Sequence, residues 1–117
     1  MILVTHDVEE TRDGIEALLS ADGYGIEAAR GEDDAVARAE RCRPDLILVS
    51  LAGPDDEVVA SATRIRHRAH LKCWVPVVVF DVTSVPEGAE VALGNNVHAT
   101  WPDDFDQLRA LIRRLVN

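Results

Sequence analysis

Ser50, His6 and Asp81 are the residue types from which a nucleophile, a base and an orienting acid are built, and each follows a short apolar run: "LILV", "MILVT" and "VPVVVF". A serine hydroxyl becomes a nucleophile only when an imidazole takes its proton and a carboxylate orients that imidazole. The same residues offer a second chemistry, because the imidazole of His6 with the carboxylates of Asp7 and Asp81 suits Zn²⁺ or Mn²⁺. Both ideas have a plainer counterpart. No G-x-S-x-G elbow surrounds Ser50, and "LVSLAG" shows no oxyanion loop. A small serine at a strand end hydrogen-bonds the turn that follows, Asp7 is placed to cap a helix, and His6 can pair with Asp81. The plainer reading is preferred, so no catalytic residue, no resident metal and no cofactor is expected.

These side chains meet only if the runs before them are neighbouring strands. "MILVT", "GIEAA", "LILVS", "VPVVVF" and "VHAT" are short, rich in apolar and β-branched residues, and each is followed by a helical pattern. That alternation predicts a parallel sheet. Val8, Ile15, Leu18 and Leu19 share one face of a first helix, opened by Asp7 with Glu10 and stopped at Gly23. A second helix begins acidic at Glu32, Asp33 and Asp34 and ends basic at Arg41 and Arg43, matching its dipole. Val58, Ala62, Ile65 and Ala69 mark a third, and Pro86 to Leu93 a short fourth before Gly94. A fifth, capped by Asp103 or Asp104, presents Phe105, Leu108, Ile112 and Leu115 to the core. Right-handed crossovers then bring His6, Asp7, Ser50 and Asp81 to the carboxyl edge of the sheet, where open α/β sheets hold ligands.

Composition narrows the class. A chain of 117 residues forms one domain that buries roughly two-thirds of its unfolded surface. Cys42 and Cys73 lack disulfide or zinc spacing and read as reduced thiols. "MILVTHD" has no basic leader and no run approaches membrane-spanning length, so a cytoplasmic location and no membrane contact are expected. A net charge of -9 repels phosphate backbones, so no nucleic-acid partner is expected. A start at Met1 and an end just past the last helix suit a whole protein, with a fragment of a longer chain as the open alternative.

In order and spacing these pieces resemble the receiver domain of bacterial response regulators over essentially the whole chain. "ILVTHD" is similar to that family's first strand with its acidic pair, "RPDLILVSL" to the third strand with its phosphoacceptor, and "VPVVVF" to the fourth. "GNNVHATWP" followed by "DDFDQLRALIRRL" resembles the fifth strand, Lys-Pro turn and last helix. The resemblance implies a single receiver-like domain over residues 1–117: a doubly wound, flavodoxin-like (CheY-like) α/β fold with five parallel strands in the order 2-1-3-4-5 and five helices.

The family's chemistry does not carry over. Its acidic pair falls on His6 and Asp7, its phosphoacceptor aspartate on Ser50, its hydroxyl residue on Asp81, or Thr83 if the alignment slips, and its lysine on Trp101. A serine cannot form an acyl phosphate, two lost carboxylates weaken Mg²⁺ binding, and Asp81 opposes an incoming phosphoryl group with no lysine to offset it. The resemblance therefore implies a degenerate pocket and a module that works by protein contact, with a kinase or downstream effector as partner. It also implies a homodimer through the face from the fourth helix to the fifth. His98 and Trp101 occupy positions that report or engage partners in receivers, although the indole of Trp101 can instead fold down over the pocket. The turn at Trp101-Pro102 is expected to be cis. "TRIRHRAHLK" concentrates cations, among them Arg64 and Arg68, which either complement the helix dipole or dock an acidic partner with Trp74 beside them.

Overall fold

The computed structural model describes residues 1–116. In chain order these form β1 (Ile2–His6), α1 (Glu9–Ala21), β2 (Ile26–Ala29), α2 (Glu32–Cys42), β3 (Leu46–Ser50), α3 (Asp55–Arg68), β4 (Val77–Val79), β5 (Glu90–Gly94), β6 (Val97–Thr100) and α4 (Phe105–Val116). One sheet contains all six strands in the order β2-β1-β3-β4-β6-β5. Every neighbouring pair is parallel except β5 with β6, which is antiparallel.

The unbroken apolar runs arise because successive side chains alternate faces and both faces are covered. Leu3, Ile47, Val49, Val77 and Val79 pack under Ala35, Val36 and Ala39 of α2 and Val58, Ala62 and Ile65 of α3. Ile2, Val4, Leu46, Leu48 and Val78 pack under Ile15 and Leu19 of α1 and Leu108, Leu111 and Ile112 of α4. The helix stops read from sequence hold at Gly23, whose φ is +96°. Asp104 opens α4 by accepting the Gln107 amide at 2.9 Å, while Gln107 Oε1 accepts the Asp103 amide at 2.6 Å.

Two expectations are corrected. The five parallel strands take the expected order, but the sheet is mixed, with a sixth strand on its edge. The expected fourth helix over Pro86 to Leu93 does not form, and β5 occupies its second half. The reason lies in "GNNV": Asn95 and Asn96 have φ of +53° and +62°, as the two-residue type I′ turn of a hairpin requires. Before the hairpin the chain turns at Gly88, φ +82°, where a Cβ would meet Asp103 Oδ2 at 2.7 Å. Asn96 also donates its side-chain amide to the Trp74 carbonyl at 2.8 Å. Asn96→Ala should therefore lower stability by about 1–2 kcal/mol through the left-handed backbone and the lost bond, read as a shift in the urea midpoint with an unchanged slope.

Candidate functional site

The carboxyl edge of the sheet places His6 directly opposite Ser50 in the β1–β3 register. His6 is buried, with its ring centroid 6.0 Å from that of Phe80 at a tilt of 39°. Its Nδ1 accepts the Val8 amide at 3.0 Å. A nitrogen that accepts a backbone N–H carries no proton, so the neutral ring holds its proton on Nε2. A hydrolytic triad needs the reverse, with Nδ1–H donating to a carboxylate and Nε2 free to take the serine proton. Asp81 meanwhile is exposed, with a left-handed backbone at φ +60°. The hydrolase constellation of His6, Ser50 and Asp81 is not assembled.

The metal reading fails for a related reason. Asp7 Oδ2 accepts the Ala52 amide at 3.1 Å and Asp7 Oδ1 lies 3.6 Å from His6 Nδ1. Asp7 is thus the tie that holds the turn after β3. The cap of α1 is Val8, with no side-chain cap bond, which corrects the capping role expected of Asp7. No group of three histidine, cysteine or acidic side chains among the described residues is arranged to hold a metal ion, His6, Asp7 and Asp81 included. Nor does His6 pair with Asp81.

Sequence reading missed Arg12. It sits one turn before Ile15 on the buried stripe of α1, and its Nη1 donates to the His6 carbonyl at 2.9 Å. The signal was its phase, three residues before Ile15 and seven before Leu19. Its consequence is a buried guanidinium bonded to the end of β1, which adds positive charge there.

Thr83 and Ser84 are tied to the first residue of α3. Asp55 Oδ2 accepts the Ser84 amide at 2.8 Å and lies 3.4 Å from Thr83 Oγ1. Those bonds, the Ser84 amide first, hold the Asp55 carboxyl below its ordinary range. Trp101 is half-buried and packs against the core beneath α2 and α3. Its N–H donates to Ala89 at 3.4 Å and its carbonyl accepts from Gly88 at 2.6 Å. No peptide bond is cis among the described residues, so the expectation at Trp101-Pro102 is corrected. With both backbone groups of Trp101 paired to the Gly88-Ala89 segment, the chain runs on extended in the ordinary trans form.

The expected partner residues are also largely occupied. Arg64 Nη2 donates to Glu32 Oε1 at 2.8 Å, and Arg68 Nη1 to Glu32 Oε2 at 2.9 Å and Asp33 Oδ1 at 2.8 Å. Arg64 and Arg68 of the basic stretch thus tie α3 to the first turn of α2. His98 is half-buried, with Nε2 3.1 Å from Asn96 Oδ1, and burial pushes its pKa down. A histidine in that state is packed and uncharged at neutral pH. Trp74, by contrast, is 71% exposed. The expected dimer face from the fourth helix to the fifth lacks its first helix.

No protein-family model matches the chain. It is 27% identical over 114 residues to the transcriptional regulatory protein KdpE of Staphylococcus aureus, an alignment that covers 96% of this chain and 48% of that protein. The chain thus spans about half the length of this curated relative. Among solved structures, the signal receiver domain of a histidine kinase from Syntrophus aciditrophicus superposes with a TM-score of 0.74 at 21% identity, over 98% of this chain and 88% of that one. Chemotaxis protein CheY4 of Vibrio cholerae gives 0.70 at 15% identity, over 97% and 96%. The response regulator TrrA of Thermotoga maritima, solved with Mg²⁺ and beryllofluoride, gives 0.69 at 19%, over 97% and 96%. The fold is therefore the CheY-like α/β fold of receiver domains. No helix among the described residues is long and apolar enough to cross a membrane.

Proposed function

We propose that this chain is a receiver-type module of two-component signalling that acts through protein contact and is not switched by aspartyl phosphorylation. The observation that carries the reading is Ser50 at the end of β3, in register with His6, where a receiver holds its carboxylate. A hydroxyl without an activating base is a weak nucleophile, and the His6 imidazole opposite Ser50 has Nδ1 tied to the Val8 amide. Asp7, the one acidic ligand retained, is bonded to the Ala52 amide, and Arg12 adds positive charge at the end of β1. Trp101, where the lysine would stand, is an uncharged ring packed against the core. In a regulator of transcription, as the staphylococcal relative is named, a module with a net charge of -9 works on other proteins rather than on DNA.

Amide NMR with Mg²⁺, beryllofluoride and acetyl phosphate tests this, with intact mass as a second readout. No saturable shifts around Asp7, Ser50, Asp81 and Trp101, and no added phosphoryl group, are the expected results. Saturable shifts that spread to His98 and α4 would overturn the proposal, because they require a pocket that still binds a phosphoryl group.

A further inference from the structure

Where the fourth helix was expected, the sheet face is left with an apolar groove of about 450 Å³. Val59 of α3, Val82 and Val85 of the loop after β4, Val91 and Leu93 of β5, and Ala99 of β6 line it. Beside the groove runs β5, the last strand in the sheet order, with all five of its residues exposed. The outward N–H and C=O groups of such a strand have no partner, and natural edges are usually blunted by lysine, proline or a covering segment. "EVALG" carries neither residue, and only a bulge between Ala92 and Gly94 disturbs it.

The two faces of β5 differ. Val91 stands opposite Ala99 on the groove side, whereas Glu90 pairs with Arg114 of α4. A strand laid along this edge would set alternate side chains beside Val91 and Leu93. Charge then selects the occupant. Asp55 and Asp56 border the groove, Asp56 has no intramolecular partner among the described residues, and Glu87 is exposed where the chain enters β5. A second copy would bring the same carboxylates and a further net charge of -9. A segment with apolar residues at alternate positions facing the groove, flanked by lysine or arginine, meets both the groove and its rim.

We propose that β5 is a docking edge that takes an extended basic and apolar segment of a partner protein as an added strand, its apolar side chains seated beside Val91 and Leu93. This inference is independent of what Ser50 can or cannot accept.

The test is an amide NMR titration of the full chain with two synthetic octapeptides, each with valine at alternate central positions and threonine between them, one carrying lysine and the other glutamate at both ends. The lysine peptide should give saturable shifts across residues 90–94 and the groove, with slowed amide exchange on β5, while the glutamate peptide gives none. Val91→Thr with Leu93→Thr, which leaves charge unchanged, should weaken binding at least tenfold, and Asp56→Asn severalfold. Equal response to both peptides would overturn the proposal, as would shifts scattered over acidic surfaces that the double variant leaves intact, or no saturation at residues 90–94. Concentration-dependent association of the chain alone, removed by the double variant, would overturn it in favour of a second copy.

Discussion

Glu32→Ala is expected to lower stability by about 2 kcal/mol and the melting temperature by roughly 6–12 °C. The carboxylate accepts from Arg64, from Arg68 at 2.9 Å and from Ser61 Oγ at 2.6 Å, so its loss frees two guanidinium groups and a hydroxyl at once. These bonds, that of Arg64 first, hold the Glu32 carboxyl down at about 2. The full shift from an ordinary value of 4.5 corresponds to about 3 kcal/mol. Arg64 and Arg68 are about half exposed, so solvent screening reduces this ionic share to ~1–2 kcal/mol, and the Ser61 bond makes up the remainder.

The pH dependence follows in sign. A carboxyl whose folded pKa lies below its unfolded value contributes stability that is complete above the unfolded value and is lost as pH falls through the folded one. For Glu32 that window runs from about 4.5 down to about 2. Chemical denaturation of the wild type and of Glu32→Gln across this range should show the two curves converge as acid removes the ionic share. Parallel curves would mean that the cluster is screened to nothing.

Leu48→Ala is expected to cost about 3–4 kcal/mol. Leu48 lies in the middle of the central strand, opposite Val4 and Val78, and is completely buried beneath α1 and α4. The neighbouring elements form a rigid sheet that cannot collapse into the space, which puts the cost in the upper part of the range for such truncations. Against a total stability of about 5–15 kcal/mol for a domain of this kind, that loss brings the folded state close to its limit. The urea midpoint should fall accordingly while the slope stays constant, and Ile47→Val on the opposite face should cost only about 1 kcal/mol.

Much of the fold was legible because burial on both faces writes itself into continuous apolar runs. Ile2 to Val4, Leu46 to Val49 and Val77 to Val79 could be read as interior parallel strands without knowledge of their partners. The helical stripes of α3 and α4 were equally plain, since Val58, Ala62 and Ile65, and Leu108 and Ile112, recur at the helical period and are all buried. Pro86 to Leu93 misled because the apolar residues of a short segment fit either period. What decides it is the pair Asn95-Asn96, which tolerates the left-handed backbone of a tight hairpin and therefore draws Glu90 to Gly94 into the sheet edge.

At the site, sequence placed His6, Ser50 and Asp81 near one edge, and it supplied their types but not their directions. Whether His6 serves as base, ligand or plug depends on where its Nδ1 points, and that is set by the Val8 amide two residues on. Arg64 and Arg68 looked free for the same reason, since their partners Glu32 and Asp33 lie more than thirty positions away in the chain.

The amino-acid sequence by itself determined the parallel strands at the heart of the sheet, its two-faced core and a serine at the end of β3, because periodicity and residue chemistry are local properties that no packing can change. Only the tertiary structure decided that β5 takes the place of a helix, that Trp101 turns inward, that α3's cations bind α2, and that Arg109 reaches Asp22 at 2.7 Å across 87 positions. Those outcomes are competitions between long-range partners for the same hydrogen bonds and the same buried surface, and chain order does not encode which partner is nearer.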